Sequence, residues 1–258
     1  MPNAPAGRER IDKLLVEREL AETRERARAL VIAGLVLADE QRIDKPGQTV
    51  RRESVIRVKG AVHPYVGRGG VKLAAALDAF GLDPAAMVFL DVGASTGGFT
   101  DCLLKRGARR VVAVDVGHNQ IDYRLRTDPR VEVREGVNAR HLAPSDFDAL
   151  FDGAVVDVSF ISLRLILPAV ASLLNPGGVL VALVKPQFEV GRADVGKGGV
   201  VRDDAKRLAS LEAIERCAAS LGLERLGAIE SPIAGADGNR EFLLGLRKPH
   251  RDRLLDSE

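Results

Sequence analysis

Four ionisable side chains stand at the borders of apolar runs. Asp157 follows the run in VVDVSFIS, Lys185 follows the run in ALVKPQFE, Lys72 lies at the start of RGGVKLAAALDAFGL, and Glu241 precedes the run in GNREFLL. Amines and carboxylates are the usual carriers of general acid–base chemistry. If the apolar runs are strands of an open α/β sheet, Asp157 and Lys185 project at the carboxyl edge, where such sheets bind ligands. Taken singly, each is the kind of residue that more often ends in solvent or in an ion pair. What could give them a common purpose is a cofactor at the same edge.

The stretch DVGASTGGFTD, Asp91 to Asp101, supplies a place for one. It follows the apolar run 87–90 and leads into a helix-like segment through Cys102, Leu103 and Leu104. That succession reads as a first βα unit. Glycines at 93, 97 and 98 allow a sharp turn and close approach of backbone to ligand, and the following helix offers free N–H groups. The dinucleotide pattern G-x-G-x-x-G is incomplete, because Ser95 occupies its second glycine position. D-x-G-x-x-x-G-G is instead the shape common among proteins that bind S-adenosylmethionine (SAM). Asp115, at the end of the run 111–114, would accept hydrogen bonds from ribose hydroxyls of either ligand, so it does not choose between them.

The elements that must carry these residues follow from periodicity. Residues 131–133, 154–158 and 179–184 read as further strands, the first ending near Asn138. Helices are expected over 162–174, stopped at Asn175-Pro176-Gly177-Gly178, and over 203–221, stopped at Gly222. Residues 226–229 and 241–246 make a closing pair. Alternating strands and helices imply a mostly parallel sheet covered on both faces. Before this domain, residues 1–8 read as a tail, 10–15 as a helix, and Thr23 as the cap of a second helix ending at Gly34. Short strands over 35–37, 42–43 and 55–58, with Val50, finish a small unit near residue 60. GAVHPYVGRGG, residues 60–70, reads as a linker.

Composition limits the function classes. The 258 residues carry 38 basic and 36 acidic side chains, net +2, so overall charge alone does not indicate nucleic acid. The two cysteines, Cys102 and Cys217, have no metal-ligand spacing, so neither zinc nor a disulfide scaffold is expected. The polar start MPNAPAGRER has no apolar signal core, and the longest apolar runs are strand-sized. The expected location is the cytoplasm, with no membrane and no metal. Basic residues do gather in the first unit: Arg24 and Arg28 share a helix face, with Lys45, Arg51, Arg52, Arg57 and Lys59 behind them. Glu19, Glu22 and Glu25 dilute that charge.

Three motifs there, R-I-D-x-x-L at Arg10–Leu15, T-R-x-x-A-x-x-L-V-x-x-G at Thr23–Gly34 and V-x-x-x-x-x-R-I-D-K-P at Val36–Pro46, resemble the S-four-type RNA-binding domain, or Alpha-L motif. The resemblance implies that Arg24, Arg28, Lys45, Arg51 and Arg52 contact an RNA backbone, which positions a protein without reading sequence. In chain order Lys72, Asp157, Lys185 and Glu241 resemble the K-D-K-E tetrad of the FtsJ-like ribose 2′-O-methyltransferases. A ribose hydroxyl is a weak acid that must lose its proton as a methyl group arrives. A lysine ammonium has an ordinary pKa near about 10.4. A second cation and desolvation lower that value, neighbouring acids raise it, and the balance can bring one amine near operating pH. Lys185 is the expected base and Asp157 its orienting partner, with Lys72 and Glu241 positioning the hydroxyl.

With RGGVKL, DVGASTGGFTD, DVSFIS, VKPQFEVGR, VGKGGVVRD and SPIAGADGNREFLL, the chain from about Arg10 to Arg247 is similar to the TlyA family. That likeness implies SAM-dependent 2′-O-methylation of cytidine in ribosomal RNA, in bacteria, under an older hemolysin label. It implies a Rossmann-like SAM-dependent methyltransferase domain at 70–247 with an antiparallel last strand. A small α+β RNA-binding domain at 1–60, a linker at 61–69 and a polar tail at 248–258 complete the plan. SAM is then expected to touch Asp91, Gly93, Ser95, Thr96, Gly97, Gly98, Asp115 and Asn138. The basic loop 189–204 is expected to meet RNA through Arg192, Lys197 and Arg202. The competing functions are a non-catalytic RNA-binding or ribosome-assembly protein, a membrane-lytic protein and a dinucleotide oxidoreductase.

Overall fold

The structure is a computed structural model and describes residues 7–18, 20–21, 23–58, 63–191, 194–196, 198–235 and 238–250. The chain divides into two compact units, 1–64 and 65–258.

In the first unit the order is β1 (Arg8–Arg10), α1 (Ile11–Glu17), α2 (Arg24–Ile32), β2 (Val36–Ala38), β3 (Gln41–Arg42), β4 (Thr49–Arg51) and β5 (Ile56–Val58). Ile11, Leu14 and Leu15 of α1 pack against Ala27, Leu30 and Val31 of α2, over Val36, Ile43 and Val50. The Thr23 hydroxyl accepts from the Arg26 N–H at 3.2 Å, capping α2 as its residue type predicts. Asp39 and Glu40 take φ of +51° and +62° between β2 and β3, the conformation that a two-residue hairpin turn needs. The tail expectation fails at its inner end, because Arg8–Arg10 pairs antiparallel with β4. Three charged residues give no apolar signal; this strand is held by its backbone ladder and by polar side-chain contacts such as Arg8 with the Thr49 carbonyl oxygen at 2.7 Å.

The second unit runs α3 (Gly69–Phe80), β6 (Val88–Val92), α4 (Gly98–Lys105), β7 (Arg110–Asp115), α5 (Tyr123–Arg126), β8 (Val131–Glu135), β9 (Phe151–Val156), α6 (Leu167–Ser172), β10 (Leu174–Val184), α7 (Pro186–Glu189), α8 (Asp204–Ser220), β11 (Glu224–Glu230) and β12 (Phe242–Arg247). The sheet order is β11-β12-β10-β9-β6-β7-β8. Strands β10, β9, β6, β7 and β8 are parallel, and β12 is antiparallel to both its neighbours. This is the expected Rossmann-like α/β arrangement. The pleat sorts the core: Leu90 and Val92 pack with α6 and α8 on one face, whereas Phe89 packs with α3 and α4 on the other.

Two boundaries differ from the sequence reading. The helix expected over 162–174 is a 3₁₀ turn, Leu163–Leu165, followed by α6. Pro168 falls in the first turn of α6, where its missing N–H is not needed. Asn175-Pro176-Gly177-Gly178 is not a stop; it lies inside β10, whose register against β9 shifts between Leu174 and Val179. Gly177, at φ +82°, makes the bulge possible.

The topology brings the chemistry to one edge. Strands β6, β7, β9 and β10 end there in Gly93, Asp115, Asp157 and Lys185, and antiparallel β12 begins there beside Glu241. Helix α3 descends from the same edge, with Lys72 in its first turn.

Candidate active site

The glycine turn after β6 is built by close approaches. Gly93 has φ +82°, and a Cβ there would lie 2.4 Å from the Asp157 carbonyl oxygen. No side chain fits, so the ends of β6 and β9 close to backbone contact. Gly98 is crowded too, less severely: a Cβ would meet Gly70 N at 3.1 Å, Gly67 O at 3.2 Å and the Gly69 Cα at 3.3 Å. Segment 67–70 thus dovetails into the start of α4, and the Val66 N–H donates to Asp101 at 2.8 Å. The contact fixes where α3 starts, and so where Lys72 points.

Beside this turn lies a cleft of about 450 Å³ lined by Gly93, Ser95, Asp115, Gln120, Asn138, Asp157 and Phe160, among others. Its size suits a small-molecule ligand. Asp115 is held rigidly: the Ser95 N–H donates to Oδ2 and the Gly117 N–H to Oδ1, both at 2.7 Å. Each oxygen keeps a lone pair for a ligand hydroxyl. Of the residues expected at the cofactor, Gly93, Ser95, Asp115 and Asn138 line the cleft. Thr96, Gly97 and Gly98 are not among its lining residues, Thr96 being exposed and the two glycines buried, and Asp91 lies wholly buried under the turn. Burial pushes the Asp91 carboxyl up to about 7; the Thr100 hydroxyl, donating at 2.6 Å, opposes this, while the charges of Asp157 and Asp115 reinforce it. Its Oδ1 has no donor.

The four tetrad residues meet as two ion pairs. The Lys72 amine donates to Glu241 Oε2 at 2.5 Å, both side chains almost fully buried. Lys185 Nζ lies 2.6 Å from Asp157 Oδ1, an ionic approach outside hydrogen-bond alignment, and donates to the Ser159 hydroxyl at 2.9 Å. Asp157 also lines the cleft, and its Oδ2 is 3.8 Å from where a Cβ on Gly69 would stand, at the start of α3.

Two residues at this edge escaped the sequence reading. Phe160 is 92% exposed on the lip of the cleft with φ +64°, and its ring touches that of Phe188 at 5.3 Å between centroids. An exposed aromatic in a left-handed conformation is unusual enough to suggest a function. The only signal in sequence is its place in the loop directly after Asp157. Glu189 is buried and joins the loop after β9 to the loop after β10. Burial raises its carboxyl, against bonds from Ser162 and the Leu163 N–H.

The basic residues of the first unit are unequal. Arg10 and Arg24 both bind the buried Asp12, at 2.8 and 3.0 Å, and the Arg10 bond is the main cause that holds this acid down at about 2. Arg51 pairs with Asp39 at 3.2 Å, Arg52 with Glu17 at 2.7 Å, and Arg57 with Glu40 at 2.6 Å. Arg28 and Lys45 are exposed, as is Arg202 in the second unit. Lys59, Arg192 and Lys197 lie outside the described residues. Among the described residues no cluster of metal-ligating side chains exists and no helix is long and apolar enough to cross a membrane.

Comparison with known proteins agrees with this arrangement. The FtsJ-like methyltransferase family model matches residues 65–248, and the S4 domain model matches residues 9–56. The chain is 44% identical over 254 residues to the 16S/23S rRNA (cytidine-2′-O)-methyltransferase TlyA of Mycobacterium tuberculosis, covering 98% of this chain and 94% of that protein. It is 40% identical over 235 residues to Hemolysin A of Brachyspira hyodysenteriae, covering 91% and 98%. A solved structure of a hemolysin-labelled protein from Streptococcus thermophilus superposes with a TM-score of 0.74 at 46% identity, covering 96% of this chain and 92% of that one. An S4 domain followed by an FtsJ-like fold, matched over nearly the full chain, has one meaning: this chain belongs to the TlyA family of methyltransferases.

Proposed function

We propose that the chain methylates the ribose 2′-oxygen of cytidine in ribosomal RNA, using SAM, with Lys185 as general base. The observation that carries this is the Lys185–Asp157 pair standing at the lip of a cleft whose far wall is the Asp115 carboxylate. The cleft fits SAM: Asp115 offers its free lone pairs to a ribose diol, and Gly93, Ser95 and Asn138 line the space beside it. When bound, SAM supplies a methyl group made electrophilic by its sulfonium.

The protein's own residues do the rest. Lys185, as the neutral amine, takes the proton of the 2′-hydroxyl as the new O–CH₃ bond forms and the S–CH₃ bond breaks, and Asp157 and Ser159 hold its amine toward the cleft. The Lys72–Glu241 pair, buried beside it, positions the hydroxyl. Phe160, on the lip, offers a face on which the target base can stack once drawn out of its helix. The first unit, with Arg24, Arg28 and Lys45, grips the RNA backbone. Such a substrate places the protein with ribosomal subunits in the cytoplasm.

The test is transfer of labelled methyl from SAM to ribosomal subunits, followed by mapping of 2′-O-methyl positions. Lys185→Ala should lower the single-turnover rate by about 10²-fold or more, the scale of a positioned base. Near-normal transfer by that variant would remove Lys185 from the role. RNA binding without any transfer by the unaltered protein would favour the assembly-protein reading instead. SAM, and not NAD, should raise the melting temperature.

A further inference from the structure

The Asp157 and Lys185 side chains belong to different loops, after β9 and after β10, and their meeting depends on how those loops are joined. The join is made by Glu189, whose side chain is only 2% exposed. Its Oε2 accepts from the Ser162 hydroxyl at 2.6 Å and its Oε1 from the Leu163 N–H at 2.8 Å. The Arg164 guanidinium stands 3.9 Å from Oε2 and also donates, at 3.4 Å, to the Glu189 carbonyl oxygen. Four residues upstream of Glu189 is Lys185, one turn away across the short α7; five residues upstream of Ser162 is Asp157. Between these anchors the two loops touch again through Lys185–Ser159 and Phe188–Phe160. The base, its orienting acid and the exposed ring therefore sit in a closed loop of contacts whose outer link is the Glu189 carboxylate.

A buried carboxylate is costly to keep and more costly to orphan. One that merely capped the 3₁₀ turn at Leu163 would do its work equally well from a neighbouring residue of the same loop. This one reaches across from the other loop.

We propose that Glu189 is a positioning residue for the methyltransferase site: by tying the loop of Lys185 to the loop of Asp157, it holds the amine against Ser159 and Asp157. It does not itself meet the substrate or the cofactor. The proposal rests on the methyl-transfer reading above. Without the link, α7 is free to move by an ångström or more, and misplacement on that scale can cost about 10²-fold in rate. The Asp115 side of the SAM cleft, formed by the turns after β6 and β7, stays as it is.

The experiment compares Glu189→Ala, Glu189→Gln, Lys185→Ala and the double variant Glu189→Ala/Lys185→Ala. It reads single-turnover methyl transfer to ribosomal subunits, SAM affinity by calorimetry, and melting temperature. Glu189→Ala should lower the transfer rate about 10- to 100-fold with SAM affinity within about 2-fold of the unaltered protein. Glu189→Gln, which keeps the volume and one acceptor oxygen, should fall between the two and keeps the test alive where the alanine variant fails to fold. In the double variant, loss of Glu189 should add little to the loss of Lys185, because both changes remove the same positioned amine. A melting-temperature loss with an unchanged rate in the folded variants would overturn the proposal, as would full multiplication of the two losses in the double variant. Absence of transfer by the unaltered protein would instead overturn the methyltransferase reading, and this inference with it.

Discussion

At the scale of single residues, burial decides which acids titrate where. Asp91 is completely buried, and desolvation raises its carboxyl to about 7. In the unfolded chain an aspartate titrates near about 3.9. The folded state therefore holds a proton that the unfolded state has already released between those values. Stability contributed in this way is complete below about pH 4 and is lost as pH rises through about 7, on the order of a few kcal/mol for a shift of this size. Asp91→Asn has no such titration. Its stability relative to the parent, from urea unfolding at pH 5 and pH 8, should improve at the higher pH; a difference independent of pH would show that Asp91 is ionised throughout. Phe160 makes the complementary case. At 92% exposure its ring contributes little to the core, so Phe160→Ala should move stability by no more than about 0.5 kcal/mol. Stacking of a base on an aromatic ring is worth about 1–3 kcal/mol, so the same variant should lose about 5- to 100-fold in kcat/KM for RNA with SAM affinity unchanged. An unchanged kcat/KM would remove the ring from substrate contact.

At the scale of elements, what the sequence reveals depends on whether a signal is local. The strands at 88–92, 110–115 and 179–184 are built on the apolar runs 87–90, 111–114 and 179–184, and the sheet they form follows from alternation with helices. The caps at Thr23 and Asp203 are residue-type signals, and both side chains accept backbone N–H groups as such residues do. The strand at Arg8–Arg10 and the bulge at Gly177 are not legible, because each is made by pairing with a distant strand rather than by its own residues. The same holds at the site. Lys72, Asp157, Lys185 and Glu241 can be picked out by position, and Lys185 with Asp157 is the partnership their resemblance to the tetrad implies; the direct Lys72–Glu241 ion pair depends on β12 lying antiparallel to β10, which brings Glu241 to this edge. Glycines rank by what surrounds them. Gly93→Ala meets the Asp157 carbonyl at 2.4 Å from a left-handed backbone, Gly98→Ala meets three backbone atoms at 3.1–3.3 Å, and Gly81→Ala, although left-handed, meets nothing within 4 Å. Stability losses measured by denaturant should fall in that order, with Gly81→Ala costing about 1 kcal/mol and leaving methyl transfer intact. Gly98→Ala should depress transfer beyond its effect on stability, since it displaces the segment that starts α3. A loss at Gly98 no larger than that at Gly81 would mean that the dovetail with 67–70 gives way at little cost.

At the scale of the whole molecule, each unit has its own core, so the proposed grip on RNA and the transfer of a methyl group can be altered separately. The near-neutral total charge hides how the cations are used. Arg51, Arg52 and Arg57 are each matched by an acid of the same unit, whereas Arg28 and Lys45 are exposed and Arg24 shares Asp12 with Arg10, leaving a net positive charge around one buried carboxylate. Phosphate contacts should therefore concentrate on Arg24, Arg28 and Lys45. Each cation that neutralises a phosphate releases counterions, and its removal should reduce the slope of log affinity against log salt by about one. The triple change Arg24→Ala, Arg28→Ala and Lys45→Ala should thus weaken binding to ribosomal RNA and flatten its salt dependence by two to three (roughly one per contact). Single-turnover transfer at saturating RNA and the affinity for SAM should hold at the parent values, because none of the three is among the residues that line the cleft. The comparison triple, Arg51→Ala, Arg52→Ala and Arg57→Ala, removes charges already answered within the fold and should change the slope less. If both triples flatten the slope equally, the acids of the first unit do not shape its RNA face. If neither does, the grip on RNA lies in the second unit.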